Sequence, residues 1–125
     1  MMLSKENQFA LLQPRGRLDA GSSVKLQEQI EAIVPDACTL WLIDLAQVDF
    51  IDSSGLVALI AALNRARQHR CYLAVCNLRP AVKLIFEITR LDQVFEIFDS
   101  QTAALNTICP SATATLSAIP QRIAA

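Results

Sequence analysis

Histidine and glycine are scarce in this chain, and their scarcity excludes whole classes of chemistry. Among 125 residues there are three glycines, at 16, 21 and 55, and one histidine, His69. Three scattered glycines cannot form the glycine-rich loop that cradles a nucleotide phosphate. A single histidine offers little to a metal site, and the four cysteines at 38, 71, 76 and 109 contain no C-x-x-C pair. They read as small buried thiols in a reducing cytoplasm. There is no basic excess either: 11 Lys and Arg against 12 Asp and Glu give a net charge of −1. Phosphate backbones need clustered cations, so nucleic acid is not an expected partner.

Long apolar runs are missing too. Hydrophobic residues make up 53% of the chain, but they are spread through periodic segments. No stretch reaches the roughly 18 residues of a membrane span. The richest, Gly55 to Leu63, is short and runs into basic residues. The opening MMLSKENQFA lacks a basic region followed by an apolar core, so no signal peptide is expected. These features predict a single cytoplasmic domain large enough to bury a core without staples.

What is present alternates between strand and helix. Phe9 to Leu12 reads as a first strand closed by Pro14, and a second short strand ends at Leu18. The turn-rich DAGSS at 19–23 offers helix caps. From Val24 to Val34, apolar positions 26, 30, 33 and 34 recur at helical spacing, and Pro35 stops the helix. CTLWLIDL, 38–45, is nearly continuously apolar, as suits a strand covered on both faces. The short stretch Val48 to Ile51 leads into the serines and a helix from about Ser54 to Arg70, with Leu56, Leu59, Ile60 and Leu63 facing the core. CYLAVC, 71–76, is a strand, and Pro80 opens a third helix with Val82, Ile85, Phe86 and Thr89 on one side. A strand at 94–97 and a helix at 100–108, capped by Ser100, complete the pattern. The remainder, 109–125, reads as a flexible or loosely packed tail beyond a domain spanning 1–108. The alternation implies a mainly parallel sheet covered by helices, with the first two strands paired antiparallel because few residues join them.

The segment with chemical interest is DFIDSSGL at 49–56. Two hydroxyls stand where a strand turns into a helix. As nucleophiles they would need a base, and His69 lies at the other end of that helix, roughly 24 Å away at 1.5 Å rise per residue. The G-x-S-x-G spacing of a nucleophile elbow is absent. Asp44, Asp49 and Asp52 are close enough in sequence to hold a divalent cation, although each also suits a turn or a helix start. Two readings of the serines remain. One is a helix cap, accepting free N–H groups of the first turn while Gly55 permits close backbone approach. The other is a phosphate acceptor, whose added charge would meet those N–H groups and the positive end of the helix dipole.

The chain resembles a STAS domain of the anti-sigma factor antagonist type. The resemblance rests on GRLD at 16–19, LIDLAQVDFIDSSGL at 42–56 and ITRLDQVFEIFDS at 88–100, and covers roughly residues 8 to 108. It implies an α/β fold, a four- to five-stranded mixed sheet with helices packed mainly on one face. It also implies a non-enzymatic, partner-switching regulator without a cofactor. The unphosphorylated form would bind an anti-sigma factor that is a serine/threonine kinase, and phosphorylation would release it. A metal-dependent serine/threonine phosphatase would restore the first state. On this chain the implied acceptor is Ser53, and Ser54 is its neighbour and the expected cap. Asp19, Asp52, Ser54, Gly55 and Leu56 form the implied partner surface. The sequence departs from the family pattern in its tail, at Arg79, and at Arg90, where many relatives carry glycine. Some relatives are regulatory parts of membrane transporters, which is the alternative function. Oligomeric state stays open.

Overall fold

A computed structural model of the chain describes residues 9–32, 40–108 and 122–124. Its elements are β1 (Phe9–Leu12), β2 (Gly16–Leu18), α1 (Ala20–Ala32), β3 (Leu40–Asp44), β4 (Val48–Ile51), α2 (Ser53–Gln68), β5 (Tyr72–Cys76), α3 (Pro80–Ile88), β6 (Glu96–Phe98), α4 (Gln101–Ile108) and β7 (Arg122–Ala124). A 3₁₀ turn, Leu91–Gln93, precedes β6.

Five strands form one sheet in the order β6-β5-β3-β1-β7, and β2 pairs with β4 in a separate ribbon. β3 is central because LWLID is buried along its whole length, so both of its faces must be covered. Alternate residues then divide between two cores. Ala10, Leu12, Trp41, Ile43, Leu73 and Val75 join the larger core with α1, α2 and α3. Phe9, Leu11, Leu40, Leu42, Ala74 and Cys76 point the other way, where Ala104 and Leu105 of α4 cover them. Three helices on one face and one on the other is the expected lopsided α/β arrangement.

The expected antiparallel pairing of the first two strands is not found; among the described residues every strand pairing is parallel. The short β1–β2 link does preclude a crossover. The chain resolves this by leaving the sheet altogether: Gly16 adopts φ +74, and its N–H donates to the Gln47 carbonyl at 2.8 Å, starting a second ribbon with β4.

α1 begins four residues earlier than expected, because Asp19 caps it. In α2, Leu59 and Leu63 are buried as expected and Leu56 is half-buried against the core, but Ile60 is 37% exposed. Small residues replace it on the buried seam: Gly55, Ala58, Ala62 and Ala66. In α3, Val82 and Phe86 are buried and Ile85 packs against them, whereas Thr89 is exposed and its hydroxyl donates back to the Ile85 carbonyl at 2.7 Å. α4 is capped as expected, Ser100 Oγ accepting from Ala103 N–H at 3.0 Å. Of the expected tail, 122–124 pair with β1, while 109–121 and 125 lie outside the described residues, as do Ile33, Val34, Cys38 and Cys109.

Candidate functional site

Two loops meet at the carbonyl of Leu18. β2 and β4 run side by side with Leu18 opposite Ile51, so both strands end together. There Asp52 N–H donates to the Leu18 carbonyl at 3.2 Å. Asp19 and Ser53 each stand one residue beyond that bond, which brings the GRLD loop beside the serine loop.

Gly55 makes the approach possible. A Cβ at this position would drive into the Leu18 carbonyl oxygen and lie 2.8 Å from Ile51 Cγ2 and 3.0 Å from Leu18 Cγ. Gly55 is itself buried, so it shapes the site from beneath and presents no surface to a partner.

The cap of α2 is Asp52, which corrects the expectation that Ser54 serves. Asp52 has extended backbone, φ −97 and ψ −172, and its Oδ1 accepts from Gly55 N–H at 3.0 Å. Its carbonyl accepts from Leu56 N–H at 3.0 Å. The helix starts one residue earlier than its apolar pattern suggests, so Ser54 falls inside the first turn, past the capping position. A carboxylate there also complements the positive end of the helix dipole. With the cap filled, the serines have no bonding duty: among the described residues neither hydroxyl makes a hydrogen bond. Ser53 is exposed and Ser54 half-buried.

Asp19 caps the neighbouring helix. Its Oδ1 accepts from the N–H groups of Gly21 and Ser22, each at 3.1 Å. Ser22 Oγ accepts from Asp19 N–H at 2.9 Å and donates to the Arg17 carbonyl at 2.6 Å. The Ser22 N–H, above all, holds the Asp19 carboxyl below its ordinary range; desolvation opposes this, and the Ser22 hydroxyl, the Gly21 N–H and the Arg17 charge reinforce it. The site thus sets a carboxylate, Asp19, beside the loop that carries Asp52 and an open hydroxyl.

Two further features were not singled out from sequence. The Arg17 guanidinium lies 5.0 Å from the centre of the Phe50 ring, in register across the β2–β4 ribbon. Val57, one turn along from Ser53, is 62% exposed. An aromatic following Asp49 and a valine outside the predicted core positions of the helix were the available signals.

The remaining acids do other work. Asp44, at the end of β3, is buried, and its oxygens accept from Ala46 N–H at 2.9 Å, Asn77 Nδ2 at 3.2 Å and Gln101 Nε2 at 2.6 Å. Burial disfavours its charge, but these donors and Gln13 outweigh it and hold the carboxyl below its ordinary value. Asp49 is exposed on β4. Among the described residues no three His, Cys, Asp or Glu side chains gather to hold a metal ion. Burial, and then the Asp44 charge, push the Cys76 thiol up to about 12, so it stays protonated at neutral pH. His69 is the C-cap of α2, at the opposite end from Ser53.

Residues 1–104 match the model of the STAS domain. The chain belongs to the STAS domain family. It is 32% identical over 82 residues to the anti-sigma-B factor antagonist of Listeria monocytogenes, covering 66% of this chain and 72% of that one. The crystal structure of an anti-sigma factor antagonist from Mycobacterium paratuberculosis superposes with a TM-score of 0.66 at 28% identity, over 75% of this chain and 80% of that one. A sulfate transporter family protein from Wolinella succinogenes shares the fold, with a TM-score of 0.72 at 14% identity over 80% of this chain and 84% of that one. This STAS chain is therefore a homologue of anti-sigma factor antagonists on a fold that also serves transporters. Among the described residues no helix is long and apolar enough to cross a membrane.

Proposed function

We propose that this STAS domain is a phosphorylatable partner-switching regulator, an anti-sigma factor antagonist whose acceptor is Ser53. In its unphosphorylated form it binds an anti-sigma factor serine/threonine kinase. Phosphorylation of Ser53 releases that kinase, and a metal-dependent phosphatase reverses the change. The protein performs no catalysis of its own and needs no cofactor. The observation that carries this reading is the division of labour at the start of α2: Asp52 takes the cap, and Ser53 is left exposed with no structural bond to lose.

The physics of the switch is local. A phosphate on Ser53 adds about −1.5 to −2 charge. It would sit beside the Asp52 and Asp19 carboxylates, so the surface would become strongly acidic. The first-turn N–H groups and the helix dipole would offset the cost to the helix itself. The fold therefore persists while the surface turned to a partner gains strong negative charge. Arg17, Phe50, Val57 and the half-buried Leu56 extend that surface.

The transporter reading shares the fold, and fold alone does not choose between the two. The intact D-S-S-G at 52–55 favours switching. The test is incubation with the cognate kinase and ATP, followed by mapping of the phosphate by mass spectrometry. Ser53→Ala should accept none and Ser54→Ala should accept it at the wild-type rate. Wild-type phosphorylation of Ser53→Ala would remove the assignment.

A further inference from the structure

At the end of α2 remote from Ser53, the structure leaves an open cavity of about 400 Å³. That volume lies within the range of small-molecule sites, about 300–1,000 Å³. Leu63, Leu73 and Val94 give it an apolar lining, and the half-exposed ring of Tyr72 stands at its edge. Arg67 and Arg70 bring two cations and Glu96 one anion. The lining thus carries a net charge of about +1 around an apolar floor, and among the described residues neither guanidinium is held in an ion pair.

The backbone at the end of α2 fixes where Arg70 stands. α2 ends in a tight reversal in which Cys71 N–H donates to the Ala66 carbonyl at 2.8 Å and Arg70 N–H to the Arg67 carbonyl at 3.1 Å. That pair of bonds places Arg70 in the left-handed region, φ 58, where glycine is the usual residue. A long cation occupies the position that glycine would fill without strain.

We propose that this cavity is a binding site for a small amphipathic anion, a carboxylate or phosphate monoester bearing an apolar chain. The two guanidinium groups recognise the anionic head, for which their forked donors are suited. Leu63, Leu73 and Val94 take the apolar part. The proposal stands apart from the Ser53 reading, since roughly 24 Å of helix separates the two sites.

The experiment is a titration of the full chain with octanoate and octyl phosphate, and with octanol and octylamine as neutral and cationic controls, followed by backbone amide NMR. The expected result is saturable shifts confined to residues near 63–73 and 94–96 with either anion, and weaker binding of both controls. Arg70→Gly keeps the left-handed turn, should raise thermal stability, and should weaken anion binding by about tenfold, as loss of a charged hydrogen bond does. Arg67→Gln should weaken it similarly. Shifts that do not saturate, equal binding of octanol, or an Arg70→Gly variant that folds and binds octanoate as tightly as wild type would each overturn the proposal.

Discussion

Gly55 and Arg90 show opposite sides of one steric rule, and both can be tested by single substitutions. Gly55 has no room for a Cβ against the Leu18 carbonyl. Gly55→Ala should therefore destabilise by about 1–3 kcal/mol, the usual cost of overpacking, as a lower midpoint in urea unfolding. Arg90, by contrast, follows α3 at φ 64, where an L side chain is strained. Arg90→Gly should stabilise by about 1 kcal/mol in the same assay. That position was legible as a departure from the family's glycine; the positive φ supplies the reason. The cap was less legible. Asp, Ser and Ser in succession are all good capping residues, and only the true helix start decides among them. Asp52→Ala should cost about 1 kcal/mol, while Ser54→Ala should change stability by less than about 0.5 kcal/mol. A larger effect at Ser54 than at Asp52 would reverse the assignment.

At the scale of elements, α2 is the part that joins the site to the core. Its leucines were readable from their spacing, and Leu59 and Leu63 are buried accordingly. Its alanines were not, because alanine is neutral in a hydrophobic pattern and declares a buried face only where another helix comes close. Here Ala58, Ala62 and Ala66 are buried, whereas Ile60 is partly exposed. Ala62→Leu should cost about 1–3 kcal/mol by overpacking, and Ile60→Ser less than about 0.5 kcal/mol. Comparable losses from the two, measured by thermal unfolding, would mean that the helix is rotated from this placement. Strand pairing was harder to read than strand existence. Loop length correctly forbade a crossover between β1 and β2, but it carries no information on whether two strands share a sheet.

Across the whole molecule, Asp44 ties the end of β3 to the turn after it, to Asn77 beyond β5 and to Gln101 of α4. Asp44→Ala would leave three buried or half-buried donors without an acceptor and should cost about 2 kcal/mol at neutral pH. The pH sign follows from its lowered carboxyl: its contribution is complete above the ordinary value of 3.8 and is lost as pH falls through the lower folded value. Acid unfolding of wild type should therefore be steeper than that of the variant, as followed by circular dichroism. Asp44 looked from sequence like a turn residue or one of three metal ligands; its partners 33 and 57 residues away lie beyond any local pattern. The fold was legible because strand and helix periods alternate cleanly, and the site because D-S-S-G falls at a strand-to-helix turn. The GRLD loop's place beside it depends on the β2–β4 ribbon, which only the assembled chain displays. The central claim is that one charge change at Ser53 decides whether a partner binds. Its most direct measurement is the affinity of the cognate anti-sigma factor kinase for the unphosphorylated and the Ser53-phosphorylated chain. Binding should weaken by about 5- to 150-fold on phosphorylation, the usual range for coupled sites, with circular dichroism unchanged. Equal affinity for the two forms would contradict the account.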